Sequence, residues 1–152
     1  MLFKKLKQGL RKNNIAVFMD GPNVLRNEFD LDLDDFRERL EEDGTITVAK
    51  VFLNQYASEK LIEAVVSQGF EPVLGVGEVE EEESDVDVYM ASAAMEAVFS
   101  DDIDTLVLVT RDADFLPVVQ KAKEKGKKVI VAGMESGFSV ALRNAADEVM
   151  ML

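Results

Sequence analysis

Four apolar residues in a row, Leu106-Val107-Leu108-Val109, run straight into Thr110-Arg111-Asp112-Ala113-Asp114, and this junction limits the folds open to the chain. Nothing polar alternates along the run, so it suits a strand buried on both faces of a parallel sheet. A helical pattern follows over residues 115–125, with Val118, Val119 and Ala122 inward and Lys121, Lys123 and Lys125 outward. A second wholly apolar run, residues 15–19, ends in Asp20-Gly21-Pro22-Asn23. Gly and Pro turn the chain there and leave Asp20 and Asn23 at the mouth of the sheet. Open α/β sheets bind ligands outside the carboxyl ends of their strands, so chemistry belongs at these two ends. Asp114 stands where an N-cap of the next helix would sit. Asp112 is one residue too early for that duty and reads as a functional acid.

The remaining pattern alternates strand with helix. Further strands are expected at 46–53, 70–74 and 128–132, and residues 149–152 read as an edge strand or a frayed tail. Leu33, Phe36 and Leu40 mark a helix that Asp32 caps, and Leu61, Ile62, Val65 and Val66 mark another that Ser58 caps and Gly69 ends. Residues 75–84 read as an acidic loop, 86–99 as a helix apolar on nearly every side, and 138–145 as a last short helix. Such alternation implies an α/β fold with right-handed crossovers. The expectation is a three-layer, doubly wound parallel sheet of about five strands in the order 3-2-1-4-5, Rossmann-like in architecture. Residues 1–14 form an amphipathic basic segment built on Leu2, Leu6 and Leu10, and residues 15–152 a single domain. The apolar excess of the 86–99 helix points to a homodimer through that helix.

That strand order sets Asp20 and Asp112 side by side across the crevice, where Asp87 and Asp114, each at a helix start, can join them. Carboxylates about 4 Å apart repel by roughly 4 kcal/mol per pair at an effective dielectric near 20, so protons or a cation must gather among them. The chain has no histidine and no cysteine. That removes the common general base, thiolate nucleophiles and most zinc chemistry, and leaves oxygen ligands that suit Mg²⁺ or Mn²⁺. The net charge of −13 argues against indiscriminate nucleic-acid binding, although five of the 17 basic residues lie in 4–12 and five more in 121–128. The latter groups read first as solvated helix faces. No apolar run is long enough to span a membrane, no secretory signal pattern is present, and the cytoplasm is the expected compartment.

Three motifs carry a resemblance: Phe18-Met19-Asp20-Gly21-Pro22-Asn23, Asp85-Val86-Asp87-Val88, and the stretch from Leu108 through Thr110-Arg111-Asp112-Ala113-Asp114 to Pro117. With the Gly126-Lys127-Lys128-Val129 turn, they make the sequence similar to the NYN domain family, PIN-like nuclease domains, over about residues 15–132. The resemblance implies a PIN-like fold and a Mg²⁺- or Mn²⁺-dependent endoribonuclease acting on RNA. It makes Asp20, Asp87, Asp112 and Asp114 the catalytic and metal-binding acids. Asn23 would position a metal water or phosphate, with Thr110 and Arg111 as further phosphate-binding candidates. Three departures accompany the match. Ala93 and Ala94 stand where family members often carry another acid, Arg111 replaces a frequent glycine, and Glu80 to Glu83 fill a segment that is often basic. A non-catalytic metal- or RNA-binding or protein-interaction module on the same fold is the second reading. A dinucleotide-binding domain lacks its glycine-rich turn, an aspartyl phosphatase would need an acid where Pro22 stands, and a primase-type site would need Glu on the first strand.

Overall fold

The computed structural model describes residues 13–24, 32–75, 82–134 and 137–152, and side chains at all of these except 23, 24 and 82–85. The amphipathic segment expected before residue 13 lies outside the described residues. Six parallel strands form one sheet: β1 (Asn14–Asp20), β2 (Thr45–Leu53), β3 (Glu71–Leu74), β4 (Thr105–Val109), β5 (Lys128–Gly133) and β6 (Glu148–Met151). Their order is β3-β2-β1-β4-β5-β6, the expected order extended by one edge strand. The sixth strand is tied at both ends to β5. Asp147 N–H donates to the Val129 carbonyl at 2.9 Å, and Leu152 N–H to the Gly133 carbonyl at 3.0 Å.

Two helices, α2 (Leu33–Glu41) and α3 (Glu59–Ser67), cover one face; α4 (Glu82–Val98), α5 (Leu116–Glu124) and α6 (Val140–Ala145) cover the other. A four-residue helix, α1 (Gly21–Val24), follows β1 directly. Side chains along a strand alternate between faces, and the core divides accordingly. Ile15, Val17 and Met19 of β1 and Val107 and Val109 of β4 pack with Leu33, Phe36, Leu40 and Val65. Ala16, Phe18, Leu106 and Leu108 pack with Val86, Met90, Ala94, Val118 and Val119. Both central strands are therefore apolar on each side, as their sequences require. The same alternation carried one residue past the apolar runs sends Asp20 and Thr110 to the α4 side.

The element boundaries that bear on the site differ from the sequence reading in two places. Helix α4 begins at Glu82, a turn before the expected start and inside the stretch read as an acidic loop. Acidic residues in a first turn lie at the positive end of the helix dipole, which favours extending the helix back through them. After β4 the chain enters a 3₁₀ turn, Ala113–Phe115, before α5 starts. The Gly-Pro step after Asp20 also has a packing reason. A Cβ at Gly21 would lie 2.5 Å from the Phe52 carbonyl oxygen and 2.5 Å from Leu53 Cδ2. Only glycine lets α1 turn that close to the end of β2, and this closeness keeps Asp20 at the sheet edge. At the end of α5, Gly126 meets nothing within 4 Å but has φ +80°, so its requirement is conformational.

Candidate metal centre

Asp20 is the last residue of β1 and is 1 % exposed. Its neighbour across the sheet is fixed by register: Met19 pairs with Val109, so Asp20 and Thr110 are the next residues of adjacent strands. Thr110 is completely buried, and its Oγ1 donates to Asp20 Oδ2 at 3.3 Å. The same hydroxyl oxygen accepts the Asp112 N–H at 3.2 Å. One threonine thus links the acid of the first strand to the backbone of the loop carrying the next two. The loop is anchored further by Thr110 N–H to the Ala132 carbonyl at 3.1 Å, and by Ser139 N–H to the Arg111 carbonyl at 3.2 Å. This hydroxyl is buried between Asp20 and the loop, where it positions both.

Asp112 caps the 3₁₀ turn, with Oδ1 accepting the Asp114 N–H at 2.9 Å. The sequence reading of these two residues is corrected on this point. The 3₁₀ turn intervenes between strand and helix, so the capping acid is Asp112 and not Asp114, and α5 itself has no side-chain cap. Freed of that duty, Asp114 is exposed and brings a carboxylate oxygen to the crevice. Asp87, in the early turns of α4, reaches the same space from above the sheet face. Oxygens of Asp87, Asp112 and Asp114 all lie within 4.8 Å of one another. The sequence expects Asp20, Asp87 and Asp112 to converge with Asp114 nearby; Asp87, Asp112 and Asp114 form the close group, and the buried Asp20 carboxylate acts on Asp87 as well. Arg111 is half-buried, its Nη1 3.4 Å from where a Cβ of Gly137 would be, so it lies along the loop before α6. Asn23 lies in α1, and its side chain is outside the described residues.

The electrostatics follow from this packing. Burial, and then the carboxylates of Asp20, Asp112 and Asp114, push Asp87 up from 3.8 to about 7, with a side-chain hydrogen bond to Asp112 acting in the same direction. The donor set fits a hard divalent cation. It is all carboxylate oxygen, and opposite ligands around such an ion lie about 4–5 Å apart. The charge that drives Asp87 towards its neutral form is the charge a cation would compensate.

Two predictions follow from the acids. The first concerns pH. In metal-free protein the folded state holds a proton on Asp87 that the unfolded chain releases above 3.8. The associated stability is fully present below that value and is lost as pH rises through about 7. Denaturant titrations of metal-free protein from pH 4 to 8 should therefore show this loss, and Asp87→Asn should flatten it. The second separates charge from capping at Asp112. Asparagine caps as well as aspartate and removes one repelling charge, so Asp112→Asn should melt at or above the parent temperature. Asp112→Ala loses the cap and should cost about 0.5–2 kcal/mol. A melt of Asp112→Asn as low as that of the alanine variant would mean that the charge itself supports the loop.

Comparison with known proteins agrees with this architecture. The family model described as the NYN domain matches residues 14–152. An uncharacterized protein of Methanocaldococcus jannaschii, MJ0482, is 54% identical over 151 residues, which is 99% of this chain and 60% of that protein. The chain thus spans about 60% of the length of that relative. The crystal structure of VPA0982, a protein of unknown function from Vibrio parahaemolyticus, superposes with a TM-score of 0.80 at 24% identity over 93% of each chain, a likeness of fold. By the extent of the family match, the chain is a member of the NYN domain family, within the PIN-like nuclease superfamily.

Proposed function

We propose that the protein is a divalent-metal-dependent endoribonuclease whose site is the acid cluster at the carboxyl edge of β1 and β4. The observation that carries this reading is the meeting of Asp87, Asp112 and Asp114, from separate parts of the chain, within 4.8 Å beside the buried Asp20. Membership of a PIN-like nuclease family supports it. Asp20, Asp87, Asp112 and Asp114 would hold Mg²⁺ or Mn²⁺, the last three already within 4.8 Å of one another and Asp20 acting on Asp87 beside them. Such an ion makes a bound water acidic near neutral pH and offsets charge gathering on a phosphodiester. The chain's own part is to fix these carboxylates through Thr110 and the Asp112 cap, and to keep them ionised in the presence of the ion. Asn23 and Arg111 remain candidates for contact with phosphate on the rim.

The test is cleavage of single-stranded and structured RNAs by purified protein with Mg²⁺, with Mn²⁺ and with chelator. Cleavage should require the metal, and Asp112→Asn should lower it by roughly 100-fold or more while the fold survives. Metal-independent cleavage, or full activity in the variant, would refute the proposal.

The second reading, a non-catalytic binding module on this fold, is favoured by one observation. The lysines of 121–128 have local partners: Lys121 with Glu124 at 3.2 Å, Lys123 with Asp147 at 3.7 Å and Lys128 with Glu148 at 3.3 Å. Lys125 lies 5.0 Å from the Phe99 ring centroid, and Lys127 Nζ donates to the carbonyls of Ser100 and Ile103, both at 2.6 Å. That stretch is therefore no ready phosphate-binding surface. A homodimer through α4 belongs to the proposal as well, since Val88, Tyr89 and Phe99 are exposed around that helix. A monomeric mass by sedimentation at high concentration would remove it. Among the described residues no helix is long and apolar enough to cross a membrane. Cytoplasmic residence is part of the proposal.

A further inference from the structure

An acidic nuclease domain has a binding problem. With a net charge of −13 and the 121–128 lysines in local contacts, that stretch is a weak source of phosphate neutralisation, and a contact indifferent to charge would add to polyanion affinity. The carboxyl edge of the sheet offers one in the turn between β2 and α3. Tyr56 is 53% exposed there, although it is among the larger apolar surfaces the chain could have buried. The exposure is not looseness. Tyr56 N–H donates to Asn54 Oδ1 at 2.9 Å, and Ala57 N–H to the Asn54 carbonyl at 3.1 Å, which closes a tight turn before the Ser58 cap. At the far end of the ring, the Gln55 side-chain amide donates to the phenol oxygen at 2.8 Å. The residue is held at its backbone and at its hydroxyl, while much of its surface stays open.

Its place relative to the acids follows from register. Asp20 pairs with Phe52 on the adjacent strand, and Tyr56 is four residues beyond Phe52 at the same end of the sheet. Adjacent strands lie about 4.8 Å apart, and four residues reach at most about 14 Å, so the ring is within a few nucleotides of the crevice. Tyr89, the other tyrosine, is two residues from Asp87 on α4 and so about 200° round the helix from it. Phe99 is at the other end of that helix under Lys125. Among the described residues, Tyr56 is thus an exposed aromatic at the same edge of the sheet as the acids, in the turn that leads into α3.

We propose that Tyr56 is a stacking platform for an unpaired nucleobase of the RNA strand that enters the acid crevice. The inference rests on the ribonuclease reading for its substrate class. Base–aromatic stacking is indifferent to net charge and to base identity, and it requires bases not already stacked in a duplex. Binding should therefore favour single strands over duplex.

The chain has two tyrosines and no tryptophan, so in Tyr89→Phe protein Tyr56 is the single strong fluorophore. That variant, combined with Asp112→Asn to prevent turnover, would be titrated with single-stranded and duplex oligoribonucleotides in Mg²⁺. Quenching of tyrosine emission by the single strand and not by the duplex is expected. Binding of a labelled single strand should weaken about 5- to 100-fold in Tyr56→Ala, and stay near the parent value in Tyr56→Phe, which keeps the ring and loses the Gln55 bond. Equal weakening by both substitutions would make the hydrogen bond, not the stack, the important element and would overturn the proposal. Unchanged affinity in Tyr56→Ala, while metal-dependent cleavage by the parent persists, would overturn it and leave the ribonuclease reading standing. Absence of both RNA binding and cleavage in the parent protein would overturn both.

Discussion

Carboxylates that share one crevice repel one another, and only a rigid backbone keeps them together. Here the restraint is the pairing of β1 with β4. Ile15 to Met19 lie opposite Thr105 to Val109 in unbroken register, and the residues between these limits on both strands are essentially without solvent exposure. Apolar burial of that extent is non-directional, but the ladder it protects is not. It determines which residues emerge side by side at the carboxyl edge, namely Asp20 and Thr110. The threonine then converts strand register into loop geometry, since its hydroxyl oxygen donates to one acid and accepts the backbone N–H of another. The position of Asp112 relative to Asp20 thus depends on pairing five residues deep within the sheet.

How much of this could be read in the sequence depends on how local each determinant is. The uninterrupted runs 15–19 and 106–109 are visible because a strand buried on both faces leaves no room for polar alternation, and the strand order follows from the crossover rule. The last strand was ambiguous for a physical reason. Glu148-Val149-Met150-Met151 is short, lies at an edge, and owes its pairing to contacts with β5 and not to its own pattern. The start of α4 is hard to read because Glu78 and Glu80 to Glu83 form a charge block that looks like a solvated loop, whereas acidic residues in a first turn lie at the favourable end of the helix dipole. The Asp112–Asp114 exchange of capping roles turned on a single 3₁₀ turn, which propensity alone does not signal. Thr110 was visible as a polar residue in the right place, but its burial and direction emerge only from the parity of β4.

The two ends of the sheet differ in the way their charges are used. At the amino end, Lys127 donates to two carbonyls just past α4, and Lys125 lies over Phe99. These cations close backbone and aromatic surface and so serve the fold. At the carboxyl end, the acids Asp87, Asp112 and Asp114 gather within 4.8 Å of one another. Local cations thus meet carbonyls and acids at the amino end, while carboxylates concentrate at the other, where a small cation could bind among them.

The raised proton affinity of Asp87 ties stability to occupancy. Below about pH 7 a proton on Asp87 relieves part of the repulsion, and above it the folded chain retains the strain. A divalent ion bound among Asp87, Asp112 and Asp114 would relieve the same strain by replacing the proton, so proton and ion would compete for the crevice. Mass action then links the two: whatever binds the folded crevice and not the unfolded chain raises stability by its binding free energy. The repulsion that lowers stability in the metal-free state would thereby become part of any affinity for such an ion. Aspartates emerging from separate strands and a helix suit this role, because a flexible chain would disperse them and lose the effect. The costly arrangement and the affinity have one origin, the rigidity of β1 against β4.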